Sequence, residues 1–205
     1  MVVEPVIPQF APQLLESLFL DGFCVLDSVL STEECAGIRQ TITHMRAEGA
    51  FRPAQIGTGP SKQLRPDIRC DWVSWLGDPI PPALRPVFDQ VEKIRMCLNQ
   101  AWFLGLFRYE AHLTVYPPGS FYAKHVDQFR LVQHRKISCI FYLNENWLPD
   151  EGGALVLYNH EGQVLREILP QAGRMVLMFA DRIPHAVAET TRERQSVTGW
   201  LCSRD

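Results

Sequence analysis

Residues 113–127 have the sequence LTVYPPGSFYAKHVD, two β-rich runs joined by a Pro-Pro-Gly turn. On a strand, residues i and i+2 project to the same face. His125 and Asp127 therefore project together from the second run, toward the mouth of a barrel, where they can bind one metal ion. This short segment predicts a β-rich fold with a metal site at the end of one strand.

The second half of the chain, residues 105–205, is predicted to consist mainly of strands. Eight short β-rich runs are separated by turn sequences that contain Gly, Pro, Asn or Asp. Regularly spaced short strands favour a sandwich or barrel, and we expect a jelly roll here. The predicted strands cover 112–116, 121–127, 136–143, 153–158, 166–169, 174–179, 185–189 and 195–202.

The first half, residues 1–104, is predicted to form a helical layer that supports this β-core. Ser31 and Glu34 have the spacing of a capping box at the start of a helix. Apolar spacing predicts helices over 11–20, 31–49 and 82–102, and strands over 23–26 and 67–76. The fold class is therefore α+β, mainly β, with a jelly-roll core and N-terminal helices, in a single domain spanning 1–205.

Composition is typical of a globular protein and excludes several classes. The chain has 205 residues, 46% of them hydrophobic and 21% charged. A net charge of −3 gives no general attraction to nucleic acid. No run approaches the roughly 18 apolar residues of a membrane helix, and the first residues do not resemble a secretory signal. The six cysteines form no C-x-x-C pair, so we expect reduced thiols in a cytoplasmic protein, with a monomer as the default.

His185 is the candidate third metal ligand. It follows Pro184 at the start of a later strand, where it can join His125 and Asp127. Two histidines and one carboxylate on one face of an octahedral ion leave three positions open, as in non-haem iron(II) oxygenases. An H-x-D pair alone occurs by chance in many proteins, and a strand histidine is more often structural. Further residues decide between these interpretations.

Arg194, nine residues after His185, is the candidate anion-binding residue. A guanidinium inside an apolar barrel needs an anion, and the far carboxylate of 2-oxoglutarate matches its fork. The alternative is a surface arginine in the charged run TTRERQ, which is the interpretation we favour for Arg192. Alternation places three further residues on the face of Arg194 and favours a polar pocket: Ser196, Thr198 and Trp200.

Three tyrosines are candidates for the same pocket. Tyr142 shares a strand face with Ile140, and a buried tyrosine hydroxyl needs a partner such as the cosubstrate carboxylate. A plain core tyrosine is the alternative. Tyr116 and Tyr122 flank the His125 strand and are expected to line the substrate side, although Tyr116 alternatively serves only for packing.

From about Asp67 to Trp200, roughly two-thirds of the chain, the sequence resembles the prolyl-4-hydroxylase family, and within it the oxygen-sensing prolyl hydroxylases and their bacterial relatives. The YLN-x-x-W segment and the Gly152-Gly153 pair are the most specific features. The matching stretches are DIRCDWVSW, LTVYPPGSFYAKHVD, ISCIFYLNENW, DEGGALVLY and DRIPHAV.

The resemblance implies a double-stranded β-helix that binds iron(II), 2-oxoglutarate and dioxygen, with ascorbate as a reductant. It implies hydroxylation of a proline in a protein, giving succinate and carbon dioxide. The implied metal ligands are His125, Asp127 and His185. Arg194 and Tyr142 are the implied 2-oxoglutarate contacts, and the expected pocket also includes Tyr116, Tyr122, Thr198 and Trp200.

The resemblance also bears on the substrate. It implies that residues 51–66, a Gly- and Pro-rich segment, form a mobile loop that closes over a peptide. Bacterial relatives suggest a partner of the elongation factor Tu type, with a target proline on an exposed loop, and an oxygen-sensing role. Residues 128–135 (QFRLVQHR) differ from the animal enzymes where substrate selectivity is set.

Three alternatives compete with this interpretation. Nucleic-acid demethylases of the wider superfamily place a second arginine six residues after the first, but Trp200 occupies that position here. A hydroxylase of small molecules such as free amino acids uses the same residues and stays open, although the long loop favours a peptide. A non-catalytic jelly-roll module is disfavoured because the three ligands and the carboxylate clamp are all present.

Overall fold

The computed structural model describes residues 10–57, 62–128 and 134–204. The helices are α1 (Ala11–Asp21), α2 (Thr32–Ala47) and α3 (Arg85–Trp102), with 3-10 turns at Pro82–Leu84 and Pro149–Glu151. The strands are β1 (Phe23–Leu26), β2 (Arg52–Pro53), β3 (Trp72–Trp75), β4 (Leu106–Tyr116), β5 (Tyr122–His125), β6 (Arg135–Tyr142), β7 (Leu155–Tyr158), β8 (Val164–Ile168), β9 (Met175–Phe179), β10 (His185–Val187) and β11 (Arg194–Ser203).

The strands form two antiparallel sheets that pack face to face. The large sheet has the order β1-β9-β6-β11-β4-β3-β2, and the small sheet has the order β5-β10-β7-β8. One buried cluster joins the two sheets and includes Tyr116, Ile140, Tyr142, Leu155, Leu157 and Val187. This arrangement confirms the predicted fold class, which is mainly β with a jelly-roll core.

The three helices cover the outer face of the large sheet. Alternate residues of its strands, such as Leu113 and Val115, join the apolar faces of the helices in the main core. Each fully buried side chain of this kind contributes roughly 1.5–3 kcal/mol of hydrophobic stabilisation. Because alternate strand residues point in opposite directions, Thr114 and Tyr116 face the small sheet instead. The helical layer thus leaves the inner face of the large sheet available for a site.

The start of α2 confirms the predicted capping box. The Ser31 hydroxyl accepts a hydrogen bond from the Glu34 backbone N–H at 3.2 Å, and the Glu34 carboxylate accepts one from the Ser31 N–H at 2.7 Å. The two bonds satisfy amides that have no partner within the helix. Ser31 therefore fixes where α2 begins against the sheet.

Some strand boundaries differ from the prediction. β4 begins at Leu106, six residues before the predicted start, because β11 pairs with it through the charged positions Arg108 and Glu110. The predicted strand 67–76 is shorter, since only Trp72–Trp75 form β3. The charged residues at the start of β4 hid its full length. The apolar residues of 67–76 made the predicted strand longer than β3.

Part of the predicted substrate loop is also strand. Residues 52–53 form β2, which pairs with β3 at the edge of the large sheet. Residues 58–61 of this loop, 129–133 of the stretch 128–135, and residues 1–9 lie outside the described residues.

Within the described ranges, no helix combines the length and apolarity needed to cross a membrane. All six cysteines are free thiols, as predicted.

Candidate active site

His125, Asp127 and His185 converge at one point of the small sheet. β5 and β10 are neighbouring strands, and His125 lies directly opposite His185 in their register. The Nε2 atoms of His125 and His185 lie 3.4 Å and 3.6 Å from the same oxygen, Oδ1 of Asp127. One ligand atom from each residue lies within 4.8 Å of the other two. The three residues are therefore close enough to bind one metal ion.

Backbone carbonyls orient both imidazoles. His125 Nδ1 lies 2.8 Å from the Ala123 carbonyl, and His185 Nδ1 lies 2.9 Å from the Ile183 carbonyl. A carbonyl accepts a hydrogen bond, so each ring carries its proton on Nδ1 and keeps the Nε2 lone pair free. Metal-binding histidines typically have such an outer partner. The tautomer needed for metal binding is thus set by the fold.

The electrostatics favour the metal-binding protonation states. Burial lowers the pKa of His185 to about 4, so its imidazole is neutral at neutral pH. Burial alone would raise the pKa of Asp127, but the two histidines and the Ser138 hydroxyl outweigh it, and the pKa falls well below its usual range. A carboxylate between two imidazoles fits the donor set of a non-haem iron(II) site.

Arg194 lies at the start of β11 and is only 2% exposed. Its Nε donates a hydrogen bond to the Gly153 carbonyl at 2.9 Å, and its guanidinium carbon lies 4.9 Å from the ring centres of both Tyr116 and Tyr142. No carboxylate in the described part of the chain forms an ion pair with it. Its remaining N–H groups can bind a carboxylate bidentately.

Tyr142 is a second unsatisfied group beside Arg194. Its side chain is fully buried, and among the described residues its hydroxyl has no hydrogen-bond acceptor, with Arg194 as its polar neighbour. Burial raises the pKa of Tyr142, so the hydroxyl keeps its proton and can donate. A carboxylate between the two residues would supply the missing acceptor for Tyr142 and the missing charge for Arg194. The pocket therefore fits one end of a dicarboxylate such as 2-oxoglutarate.

The Gly152-Gly153 pair lets the backbone lie close to the Arg194 side chain. Both glycines have positive φ, +67° and +65°. A Cβ on Gly152 would lie 2.2 Å from the Glu189 carbonyl oxygen, and one on Gly153 would lie 3.2 Å from Cδ of Arg194. A side chain is therefore excluded at Gly152 and would be strained and crowded at Gly153. The structure gives a physical reason for a motif that the sequence indicated only by resemblance.

One cavity of about 910 Å³ connects the candidate metal ligands with Arg194. Its floor is the inner face of the large sheet, where Arg194 lies opposite Tyr116 and Thr198 lies opposite His112. Thr198 also lines this cavity. Residues 52–57, with Lys62 and Leu64, line the cavity on another side.

Trp200 also lines the cavity, but at a different place from Arg194. The two residues are six positions apart on one strand, or about 20 Å along it. Trp200 stacks on His112 with ring centres 5.5 Å apart, and the ring centres of Trp75 and Trp200 lie 6.2 Å apart. Arg135 covers Trp200, with its guanidinium carbon 3.7 Å from the ring centre. This aromatic end of the floor is remote from the anion-binding end.

Tyr122 lies beside the candidate metal ligands. Its ring stacks on His125 with centres 3.6 Å apart, and Arg69 covers the Tyr122 ring at 4.3 Å. Arg69 in turn makes two hydrogen bonds, of 2.7 Å and 2.5 Å, to the carboxylate of Asp71, which is 1% exposed. An ion pair thus supports a stack against a candidate metal ligand.

Sequence reasoning missed four residues of this site: Arg69, Asp71, His112 and Ser138. Ser138 lies on the same face of β6 as Ile140 and Tyr142, so the alternation that selected Tyr142 could also have selected Ser138. Arg69 and Asp71 lie in the stretch predicted as the strand 67–76, where neither residue carried a signal of its own. His112 carried no signal, because its role depends on Trp75 and Trp200 from other strands.

Several known proteins are similar to this chain in sequence and fold. Residues 111–202 match the model of the 2OG-Fe(II) oxygenase superfamily. A prolyl-4-hydroxylase of Pseudomonas putida is 30% identical, with a TM-score of 0.84 over 95% of this chain and 100% of that chain. A prolyl hydroxylase of Trichoplax adhaerens, solved with a hypoxia inducible factor peptide, has a TM-score of 0.82 at 24% identity over 95% of this chain and 89% of that chain, which supports the fold.

Curated relatives are longer than this chain. The hypoxia-inducible factor prolyl hydroxylase of Caenorhabditis elegans is 29% identical over 95% of this chain and 28% of its own length. Egl nine homolog 1 of Homo sapiens is 28% identical over 90% of this chain and 44% of its own length. The chain thus spans less than half of these two relatives. It belongs to the 2OG-Fe(II) oxygenase superfamily and, within it, to the prolyl-4-hydroxylase family, whose enzymes use iron(II), 2-oxoglutarate and dioxygen.

Proposed function

We propose that this protein is a prolyl 4-hydroxylase that acts on a proline in a protein substrate. The observation that carries the proposal is one cavity with two halves. A cluster of two histidines and a carboxylate lies on the small sheet, and a buried arginine without an acidic partner among the described residues lies on the large sheet. A metal-bound dicarboxylate would complete both halves at once.

His125, Asp127 and His185 would hold iron(II), and Arg194 with Tyr142 would hold the far carboxylate of 2-oxoglutarate. When bound, iron with 2-oxoglutarate and dioxygen supplies the oxidation: one oxygen atom enters a proline C–H bond, and the other enters succinate as carbon dioxide is released. The chain itself supplies binding and orientation. Ascorbate is the proposed reductant.

The residues around the ligands have their own tasks. Arg194 orients the cosubstrate so that its keto-acid end faces the metal ligands. Buried apolar residues such as Leu155 and Val187 line the cavity and limit water. Tyr116 supports the Arg194 guanidinium, and Tyr122 stacks on His125. Because Trp200 lies far along β11 from Arg194, we place it beside the substrate and not beside the cosubstrate.

The cavity favours a peptide over a free amino acid. It extends from Arg194 to the aromatic end and to residues 52–57, far beyond the size of one amino acid. The proposed substrate is an exposed, proline-containing loop of an elongation factor Tu type translation factor. We place the protein in the cytoplasm, since its cysteines are free thiols, and an oxygen-sensing role follows if oxygen limits the reaction.

The test is mass spectrometry after incubation with iron(II) and 2-oxoglutarate. A purified elongation factor Tu type protein and a whole lysate are each treated with wild type or with His125→Ala. We expect one added oxygen on a specific proline, only with wild type. Succinate formation without a new hydroxyproline would instead indicate a small-molecule substrate. Absence of both products would contradict the proposed activity.

A further inference from the structure

Ser138 is a buried residue that the proposed chemistry does not yet use. Its hydroxyl lies 2.6 Å from Oδ2 of Asp127, to which it donates a hydrogen bond. The side chain is fully buried on β6 of the large sheet, whereas Asp127 follows β5 of the small sheet. The hydrogen bond therefore joins a candidate metal ligand to the opposite sheet.

The two oxygens of Asp127 have different surroundings. Oδ1 faces the Nε2 atoms of His125 and His185 at 3.4 Å and 3.6 Å. Oδ2 accepts the short bond from Ser138. A hydrogen bond to an ionised oxygen is stronger than one between two neutral groups. It restrains the orientation of the carboxylate plane. Oδ1 alone is then presented to the point that both histidines face.

A one-oxygen ligand matters for the chemistry of this site. An octahedral ion with three protein donors keeps three open positions, enough for a bidentate cosubstrate and dioxygen. A carboxylate that turned to bind through both oxygens would occupy one of these positions. The Ser138 bond opposes that rotation, because Oδ2 would have to give up its donor.

Ser138 differs from the supports of the other two ligands. Backbone carbonyls hold His125 and His185, and substitution does not remove a carbonyl. Asp127 is held by a side chain, so its support is open to mutation. The alternative is that Ser138 is merely a small buried residue of the core. A purely structural serine would affect stability without affecting metal affinity.

We propose that Ser138 is a positioning residue that keeps Asp127 as a one-oxygen metal ligand. This inference rests on the proposed metal site. Removing such an outer partner typically weakens metal binding by about 10- to 100-fold. Ser138→Ala is therefore expected to lose metal affinity in that range, whereas Ser138→Thr, which keeps the hydroxyl, is expected to retain most of it.

The test measures Mn²⁺ and Co²⁺ affinity by calorimetry, without 2-oxoglutarate or substrate. Cys139→Ala is the matched control, since Cys139 is the next residue of β6, is equally buried and faces the helical core. It is expected to lower the unfolding temperature and to leave metal affinity unchanged. The absorption spectrum of bound Co²⁺ is expected to change in Ser138→Ala alone.

The outcomes separate this inference from the proposed function. Wild-type metal affinity in a folded Ser138→Ala variant would overturn the role of Ser138 and leave the metal site intact. Failure of wild type itself to bind metal, with the same result for His125→Ala, would overturn the site and with it this inference. If Ser138→Ala does not fold, Ser138→Cys gives the same test with a weak thiol donor of similar size.

Discussion

Arg194 is a charged residue that the fold buries almost completely, next to two tyrosine rings. Taking a charge out of water costs several kcal/mol unless a partner compensates for it. The described residues supply a carbonyl and two π-faces but no carboxylate. The rest of the protein must offset this cost in the ligand-free state, and a bound dicarboxylate would relieve it.

Replacing Arg194 should therefore weaken cosubstrate binding without lowering the stability of the ligand-free protein. Arg194→Met is expected to raise the 2-oxoglutarate concentration for half-maximal succinate formation about 100-fold, because a bidentate charged contact contributes about 3 kcal/mol. The ligand-free variant should be as stable as wild type or more so. Arg192→Met, at the exposed arginine two residues earlier, is the control. An unchanged 2-oxoglutarate requirement in Arg194→Met would contradict the assignment.

His112 should make stability depend on pH. Burial, and then the charges of Arg69 and Arg135, lower its pKa to about 3, against 6.5 in an unfolded chain. Between these values the unfolded state binds the extra proton, so stability is full above pH 6.5 and falls as pH decreases. The slope reaches about 1.4 kcal/mol per pH unit.

Urea unfolding of the metal-free protein at pH 8, 7, 6 and 5 checks this expectation. The wild type should lose stability relative to His112→Phe as the pH falls, and the two should differ by a constant amount above pH 7. His185 also has a lowered pKa, but it is present in both proteins and cancels. Parallel curves across the whole range would show that His112 does not cause the effect.

Among the elements, the segment before β3 offers a comparison within one chain. Two Arg–Asp pairs with the same spacing, Arg65–Asp67 and Arg69–Asp71, both make two hydrogen bonds. The first is exposed and the second is buried against the Tyr122 ring. Exposed ion pairs contribute little to stability, whereas breaking a buried one leaves an uncompensated charge.

Asp71→Asn is accordingly expected to lower the free energy of unfolding by about 3 kcal/mol. It should also weaken metal binding, because Arg69 supports Tyr122 and Tyr122 stacks on His125. Asp67→Asn should change neither property. Chemical denaturation with and without Mn²⁺ measures both. Equal effects of the two substitutions would show that the environment of the pair does not matter.

Elements also show how far the sequence predicts this protein. Alternation and helical spacing predicted most strands, the three helices and the Ser31 cap, because these signals are local. The i, i+2 rule also selected His125 and Asp127, although β5 ends at His125 and Asp127 lies just after it rather than on the predicted strand 121–127. The full extent of β4 and the contact of Ser138 with Asp127 escaped prediction, because both depend on which distant strands become neighbours. Such pairings carry no local signature.

On the scale of the whole molecule, the small sheet carries the candidate metal ligands and the large sheet carries Arg194. A dicarboxylate bound to the metal at one end and to Arg194 at the other would connect the two sheets. Ligand binding should therefore stabilise the entire fold, and the two ligands should reinforce each other.

Thermal unfolding without oxygen tests this expectation, with Mn²⁺ in place of iron. A ligand at 100 times its Kd adds about 2.7 kcal/mol to stability. We expect Mn²⁺ and 2-oxoglutarate together to raise the unfolding temperature by more than the sum of their separate effects. His125→Ala should abolish the cooperative part. Strictly additive shifts in wild type would count against a ligand that spans the sheets.

The direct opposition of His125 and His185 across β5 and β10 has a consequence for chains that fold incorrectly. A slip of one residue in that pairing would turn one imidazole to the opposite face. Such a chain would lack the candidate metal site and, with it, the means to activate dioxygen. A misfolded copy would then be unable to carry out uncontrolled oxidation in the cell. Correct assembly and the power to oxidise arise in the same step.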